Sequence, residues 1–287
     1  MSALLSPILI VGATGKQGGS VVRALQKLPN PPAIRALSRN PASPAAEKLK
    51  AQGIEVVKGS LTDAASLRAA LKGAASAFLV TNVTGKGEIP EDEQGKAFLS
   101  AALETSLPYL IFTSVSDATP TCGVPHFETK AKVEQAIKES GIKHTILAPV
   151  AFYDNFPRKS GLATFAGMGL FEAALQGKEL KMVACDDIGY IAAQALTNPN
   201  RYSGRHIPLA GDSLTMSQVR STYAKVQNTS VSKAWFPSWI VNILPHDFNR
   251  MLLMFREKGF VQADPEGLRR EFPQVRTFEQ WLREGSE

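Results

Sequence analysis

Six short, almost unbroken apolar runs punctuate the first half of the chain: PILIV (7–11), AIRAL (33–37), GIEVVK (53–58), SAFLV (76–80), YLIFTS (109–114) and KHTILA (143–148). Stretches of helical length that mix polar and apolar residues separate them: GGSVVRALQKL, PAAEKLKAQ, DAASLRAALK, EDEQGKAFLSAALETS and FETKAKVEQAIKES. A strand covered on both faces has no polar side, so runs without alternation mark strands sandwiched between helices. Strand, helix, strand repeated at this spacing requires right-handed crossovers, and these build a parallel sheet with helices on both faces. The predicted fold class is α/β, a doubly wound parallel sheet.

Beyond Pro149 the rhythm breaks. GLATFAGMGLFEAALQGKELKM has no clean period, and DDIGYIAAQALTNP reads as a helix with Asp187 at its N-cap. In DSLTMSQVRSTYAKV, Thr215 is followed three residues later by Gln218, the spacing of a capping box. WFPSWIVNILPHDFNRMLLMF and TFEQWLRE read as aromatic-rich helices. The expected organisation is a nucleotide-binding domain over residues 1–150. Residues 151–287 form a smaller, mostly helical substrate- or partner-binding region, interleaved with the first in space and laid over the carboxyl edge of the sheet, where ligands of open α/β sheets sit.

Composition narrows the function. The +6 formal charge arises from 32 Lys and Arg against 26 Asp and Glu in 287 residues. That surplus is spread along the chain with no basic stripe interleaved with aromatics, so direct nucleic-acid binding is not expected. Two cysteines, Cys122 and Cys185, make no disulfide framework and fit a reducing compartment. The N-terminal apolar run has no basic segment before it and flows into a glycine turn, unlike a signal peptide. The most apolar later stretch, Trp235 to Phe255, is interrupted by Pro245, His246, Asp247, Asn249 and Arg250, so no membrane span is expected. These features together predict a cytoplasmic protein, or a nuclear one if it acts as a co-regulator.

The first strand runs into GATGKQGGS, in which Gly12, Gly15 and Gly18 form a G-x-x-G-x-x-G array. Glycines let a chain turn tightly against a pyrophosphate, and the N–H groups and dipole of the following helix attract the anion. In its strand–turn–helix setting this is the fingerprint of a Rossmann-type dinucleotide site, with Thr14, Lys16 and Gln17 in the same turn. It is not a Walker A loop, since Lys16 is not followed by Ser or Thr. About 20 residues beyond the glycines, sites selective for NAD place an acid on the ribose hydroxyl. This chain has Ser38, Arg39 and Asn40, and a guanidinium pairs with a 2′-phosphate where a carboxylate repels it. The expected cofactor is NADP(H). Ser60 and Leu61 after the third strand, Thr81 and Asn82 after the fourth, and Thr113 and Ser114 at the end of the fifth line the same edge.

His126 and Lys130, four apart in HFETKAKVE, share a helix face if the helix begins before His126. They are the candidate catalytic residues. His126 suits a proton donor near neutral pH, but a helix cap or packing against Phe152 fits it equally. Cys122 precedes it by four residues, and two ligands alone make no metal site. Lys130 is expected to face the cleft, where its removal would cost little stability.

GATGKQGG, ALSRNP, FLVTN, EQGK, HFETKAKVE, AFYDNF, DDIGYIA and FEQWL fall in the order and spacing of the NmrA-like proteins, which the chain resembles over nearly its whole length. These are atypical members of the short-chain dehydrogenase/reductase superfamily. The resemblance implies NADP(H) binding through the glycine turn and the basic residue after strand two. It further implies that Lys130 contacts the nicotinamide ribose and that Pro149, Phe152 and Asn155 complete the cofactor set. Ser60 departs from the family pattern, which usually has aspartate there. The family holds quinone and natural-product reductases as well as redox sensors and transcriptional co-regulators. Many reductases of the superfamily carry a tyrosine where this chain has His126. Hydride transfer itself needs a positioned nicotinamide and a polarised acceptor. The expected activity is therefore NADPH-dependent reduction of a small apolar or aromatic acceptor, activated as in a quinone, enone or imine. Phe165, Phe171, Trp235, Phe236, Trp239 and Phe255 are its candidate lining. The alternative is a catalytically silent NADP(H) sensor or transcriptional co-regulator that acts through a protein partner.

Overall fold

The structure, a computed structural model, describes residues 7–82, 89–159, 161–228 and 230–284. In chain order the elements are β1 (Ile8–Val11), α1 (Lys16–Gln26), β2 (Ile34–Ser38), α2 (Pro44–Ala51), β3 (Glu55–Lys58), α3 (Ala64–Leu71), β4 (Ser76–Val80), α4 (Glu91–Glu104), β5 (Leu110–Thr113), α5 (Pro125–Glu139) and β6 (His144–Pro149). There follow β7 (Ala151–Phe152), a 3-10 turn at Tyr153–Asn155, α6 (Leu162–Leu175), β8 (Leu180–Val183), α7 (Cys185–Thr197), α8 (Pro199–Tyr202), β9 (His206–Leu209) and β10 (Asp212–Leu214). The chain closes with α9 (Met216–Gln227), a 3-10 segment at Ser238–Ile243, α10 (His246–Glu257), α11 (Pro265–Glu271) and α12 (Phe278–Glu284).

The main sheet has seven strands in the order β3-β2-β1-β4-β5-β6-β9, and β3 through β6 pair in parallel. All six predicted strands are present. The order reverses direction between β1 and β4, which is the switch point where open α/β sheets hold ligands. The strands are apolar throughout because the sheet is covered: Leu9, Ala77, Phe78, Leu79, Leu110 and Phe112 are fully buried.

By its internal contacts the chain divides into two compact units, neither continuous in sequence. The first comprises residues 1–114, 129–147 and 188–207, and the second residues 115–128, 148–187 and 208–287. Leu9, Val11, Leu37, Leu79, Phe98, Phe112 and Val133 form the core of the first. Two close approaches define its helix packing. A Cβ on Gly95 would lie 2.5 Å from Val133, and one on Gly189 would lie 2.4 Å from the backbone of Ser20. Glycine therefore lets α4 approach α5, and α7 approach α1, backbone to side chain or closer.

The second unit also contains a three-stranded sheet, β10-β8-β7, which its sequence pattern does not announce. Its strands are two to four residues long, too short for a periodicity to register. Beside it Tyr153, Phe278 and Trp281 cluster, with Tyr153 and Phe278 ring centres 5.2 Å apart. The capping box at the start of α9 is present: Gln218 N–H donates to Thr215 Oγ1 at 3.2 Å, and Thr215 N–H to Gln218 Oε1 at 2.8 Å. Asp187 is not an N-cap. It lies inside the first turn of α7, and its carboxylate accepts from the Arg276 backbone N–H at 3.0 Å and from Arg276 Nε at 2.8 Å. An acid near a helix start satisfies either role, and the distant arginine is invisible in the local pattern. Among the described residues no helix is long and apolar enough to cross a membrane.

Candidate functional site

Because its strands run parallel, the first unit brings their carboxyl ends to one edge. Gly12 leaves β1 with φ +71°, a left-handed conformation that favours glycine. Gly15 donates its N–H to Gly12 O at 2.8 Å and closes the turn. A Cβ on Gly18 would lie 2.3 Å from Gly12 O, which the backbone cannot relieve by a rotamer change. Gly15 is the N-cap of α1, and no side chain caps that helix. Thr14, Gly15 and Lys16 are exposed at the top of the turn. A tight turn presenting a helix N-terminus whose N-cap makes no side-chain hydrogen bond suits an anion such as a pyrophosphate, so the residues present fit a dinucleotide.

The other strand ends fall in place around it. Ser38 ends β2, and Arg39, just beyond, is exposed. Ser60 follows β3 with its hydroxyl 2.8 Å from that of Thr62, while Leu61 is buried among the core leucines. Thr113 is fully buried and donates to Gln17 Oε1 at 2.7 Å, tying the end of β5 to the first turn of α1. Ser114 next to it is also buried. Thr81 is buried and Asn82 exposed at the end of β4.

One buried carboxylate organises this region, and no sequence pattern singles it out. Glu91, at the start of α4, is 4% exposed. It accepts from Thr81 Oγ1 at 2.8 Å and from Thr129 Oγ1 at 2.8 Å, and its Oε1 lies 2.8 Å from Lys130 Nζ. Lys130 also reaches Thr81 Oγ1 at 3.3 Å and stands 5.6 Å from the centre of the Phe112 ring. Its buried carboxylate partner is a feature that the sequence expectation of a small stability cost does not include. Nearby Gln94 donates to Asn82 O and Ile89 O, both at 3.2 Å. EDEQGK reads as an ordinary charged helix start. The one available signal is that an acidic first turn stands directly before an apolar helix, and such a turn does not reveal which acid points inward.

In the second unit, α5 begins at Pro125, so His126 and Lys130 lie one turn apart on the same helix. The His126 backbone N–H donates to Asp247 Oδ1 at 3.2 Å, and its ring Nδ1 lies 2.7 Å from Asp247 Oδ2. The ring meets Phe127 edge-on with centres 4.7 Å apart. Asp247, on α10, therefore caps the first turn of α5 from a distance and holds the imidazole as well. Nearby Arg250 Nε donates to Gly123 O at 2.9 Å. Pro149 is buried and accepts from Ser116 N–H at 2.9 Å; Phe152 is half-buried at the end of β7, and Asn155 is exposed in the 3-10 turn. Cys122 Sγ lies 3.7 Å from Val124 O.

Of the aromatics expected to line a pocket, Phe255 is instead a core residue, 4% exposed and packed on Phe260. Phe171 packs on Phe156 at 5.6 Å. Trp235 and Trp239 remain 80% and 59% exposed.

The switch-point edge, the glycine turn and the uncapped helix define a dinucleotide-binding α/β protein. The pattern of the NmrA-like family matches residues 5–282, and the chain belongs to that family. Among its relatives is an NAD(P)H azoreductase of Xenophilus azovorans, 30% identical over 205 residues that cover 71% of this chain and 68% of the relative. Among solved structures, the NADPH-dependent quinone oxidoreductase of Escherichia coli, in complex with NADPH, superposes with a TM-score of 0.77 at 23% identity, covering 98% of this chain and 100% of the other. The negative transcriptional regulator NmrA, in complex with NAD, gives 0.74 at 19% identity and covers 98% and 95%. The fold is thus shared by named reductases and a named regulator.

Proposed function

We propose that this protein is an NADPH-dependent reductase that passes hydride to a small, flat, activated acceptor such as a quinone, an enone, an imine or an azo compound. The observation that carries the reading is the glycine turn, where Gly18 admits no Cβ and α1 opens without a side-chain cap. The named activities of the azoreductase relative and the quinone oxidoreductase support it. NADPH, when bound, supplies the hydride. The protein's own part is to hold and to orient. The first N–H groups of α1 face the pyrophosphate, and Arg39 pairs with the 2′-phosphate through charge-assisted hydrogen bonds. Lys130 donates to the nicotinamide ribose. The product's remaining proton comes from solvent, because quinones, enones and iminium ions place weaker demands on an enzyme acid than a plain ketone does.

A second reading, a silent NADP(H) sensor that works through a protein partner, draws on one observation: the imidazole where the superfamily places its tyrosine is engaged by Asp247. The two readings separate by experiment. NADPH and NADH titrations, followed by NADPH consumption against a panel of quinones, enones, imines and azo dyes, should show NADPH preference and turnover of at least one class. Tight NADPH binding with no acceptor turned over would leave the sensor. Equal affinity for the two cofactors would remove the role given to Arg39.

A further inference from the structure

Glu91 stands in a position that its sequence setting does not explain. The first turn of α4 carries three acids, Glu91, Asp92 and Glu93, and acids there are favoured by the helix dipole wherever they point. Asp92, its side chain 16% exposed, pairs with the exposed Lys96 one turn on at 3.4 Å. Only Glu91 turns inward, where its side chain is 3% exposed. Burying a carboxylate costs several kcal/mol unless its oxygens are satisfied, and three donors from two other elements satisfy this one. They are Thr81 at the end of β4, and Thr129 and Lys130 on α5.

The arrangement fixes the direction of the ammonium group. A lysine ammonium has three hydrogen-bond donors. Glu91 Oε1 and Thr81 Oγ1 lie within reach of two of them, at 2.8 and 3.3 Å. The Thr81 hydroxyl gives its own proton to Glu91 and so presents a lone pair to Lys130. Meanwhile the Phe112 ring lies 5.6 Å from Nζ. A flexible four-carbon side chain is thereby held at one point, with one donor left over among the described residues.

The geometry points to Glu91 as the positioning residue for Lys130: its carboxylate, shared with Thr81 and Thr129, aims the third ammonium donor at the ribose of the cofactor. This rests on Lys130 being a cofactor ligand, as proposed above. It also changes what Lys130 contributes. Glu91 neutralises the ammonium locally, so Lys130 offers the cofactor a directed hydrogen bond more than a net charge. Glu91 touches neither cofactor nor substrate and acts through the lysine.

The test is a double-mutant cycle of NADPH affinity, measured by fluorescence titration on wild type, Glu91→Gln, Lys130→Met and the double variant. With it goes a readout on the cofactor-free protein, the rate at which acetic anhydride modifies Lys130 relative to the other lysines, followed by mass spectrometry. Glu91→Gln should weaken NADPH binding about 10-fold, the value of one hydrogen bond to a charged group. It should also speed acylation of Lys130 in the empty protein. In the Lys130→Met background the same change should cost nothing further, because the group it positions is gone. If Lys130→Met weakens binding but Glu91→Gln leaves both affinity and labelling unchanged, the positioning role is overturned while the lysine's role stands. An equal loss from Glu91→Gln in both backgrounds overturns it too, since Glu91 would then act independently of Lys130. If Lys130→Met leaves affinity unchanged, the reading of the lysine as a ligand falls and this inference with it. Should Glu91→Gln fail to fold, Glu91→Asp carries the test, because it keeps the charge and withdraws it by one methylene. Wild-type affinity and labelling in that variant would overturn the proposal, and weaker binding together with faster labelling would sustain it.

Discussion

Lys130 and His126 occupy successive turns of one helix, and each faces a carboxylate within 2.8 Å. The resemblance ends there. The lysine and its glutamate are 13% and 3% exposed, whereas the histidine and its aspartate are 20% and 39% exposed. Glu91 is held by β4 and α5 together, inside the unit whose core is the parallel sheet. Asp247 sits on an amphipathic C-terminal helix and is open to water on one side. Two pairs of similar length therefore differ in worth. A buried partner that loses its mate leaves an uncompensated charge, while an exposed one is rehydrated at little cost. Spacing on a helix says which side chains face together, and burial decides which of them the fold depends on.

The largest consequence falls on Lys130. Lys130→Ala leaves Glu91 buried without its cation and should destabilise the protein by about 3–5 kcal/mol, read as a shift in the denaturant midpoint. Adding Glu91→Gln should return part of that loss, since the stranded charge disappears. A Lys130→Ala protein as stable as wild type would show that water reaches Glu91 and would erase the contrast between the two pairs.

Arg39 sharpens the same contrast from the exposed side. It lies at a strand end in solvent, so its contribution is a charge-assisted contact of roughly 1.5–3 kcal/mol. Arg39→Asp should lower the preference for NADPH over NADH by about 10- to 100-fold, with no change in melting temperature. The Arg39 contribution should also weaken with added salt, whereas that of Lys130, neutralised by Glu91, should respond far less. Equal salt responses in the two variants would mean that Lys130 also acts as a net charge.

The parallel sheet and its strand-end residues are legible in the sequence because their signals are local. An apolar run bounded by turns, a glycine array after it and a basic residue after the next strand can each be read within a few residues. Glu91 and Asp247 are not legible, because what singles each out is a partner far away in the chain: Glu91 meets Lys130 across 39 positions and Asp247 meets His126 across 121. Asp187 escapes for the same reason, its partner Arg276 lying 89 positions on. The short strands β7, β8 and β10 are hidden because two to four residues cannot show a period. Phe255 reads as lining but belongs to the core, since an aromatic on an amphipathic helix shows no difference in sequence between the two.

Asp187 supplies a third pair between the two extremes, buried yet incompletely compensated. Burial pushes its carboxyl up to about 6, outweighing the Arg276 guanidinium and its hydrogen bonds. The folded state therefore holds the Asp187 proton more tightly than the unfolded chain, whose carboxyl titrates near 4. Stability from this group is fully present below about pH 4 and is lost as pH rises through about 6. The expected size is on the order of 3 kcal/mol, because each tenfold gain in proton affinity is worth about 1.4 kcal/mol. Asp187→Asn should flatten that part of the profile. Between about pH 4 and 6.5 the melting temperature of wild type should fall relative to the variant. A constant difference between them would show that Arg276 keeps Asp187 ionised throughout.

The smallest effect is expected at the open end of the helix. If Asp247 holds His126 chiefly as a distant cap for α5, replacing the imidazole removes a half-exposed contact and no step of the reaction. His126→Phe should then leave NADPH affinity unchanged and alter turnover of an activated acceptor by less than about 10-fold, because solvent protonates the product. Asp247→Asn should behave alike and cost little stability, because its amide oxygen still accepts from the His126 N–H. An acid catalyst would behave otherwise. Its removal would slow turnover by roughly 10²- to 10⁴-fold at saturating NADPH and delete a limb of the pH–rate profile. The two variants measured across pH with one quinone thus decide whether the half-exposed pair serves the fold or the chemistry. A large loss in His126→Phe, with a limb of the profile deleted, would make the weaker pair the catalytic one.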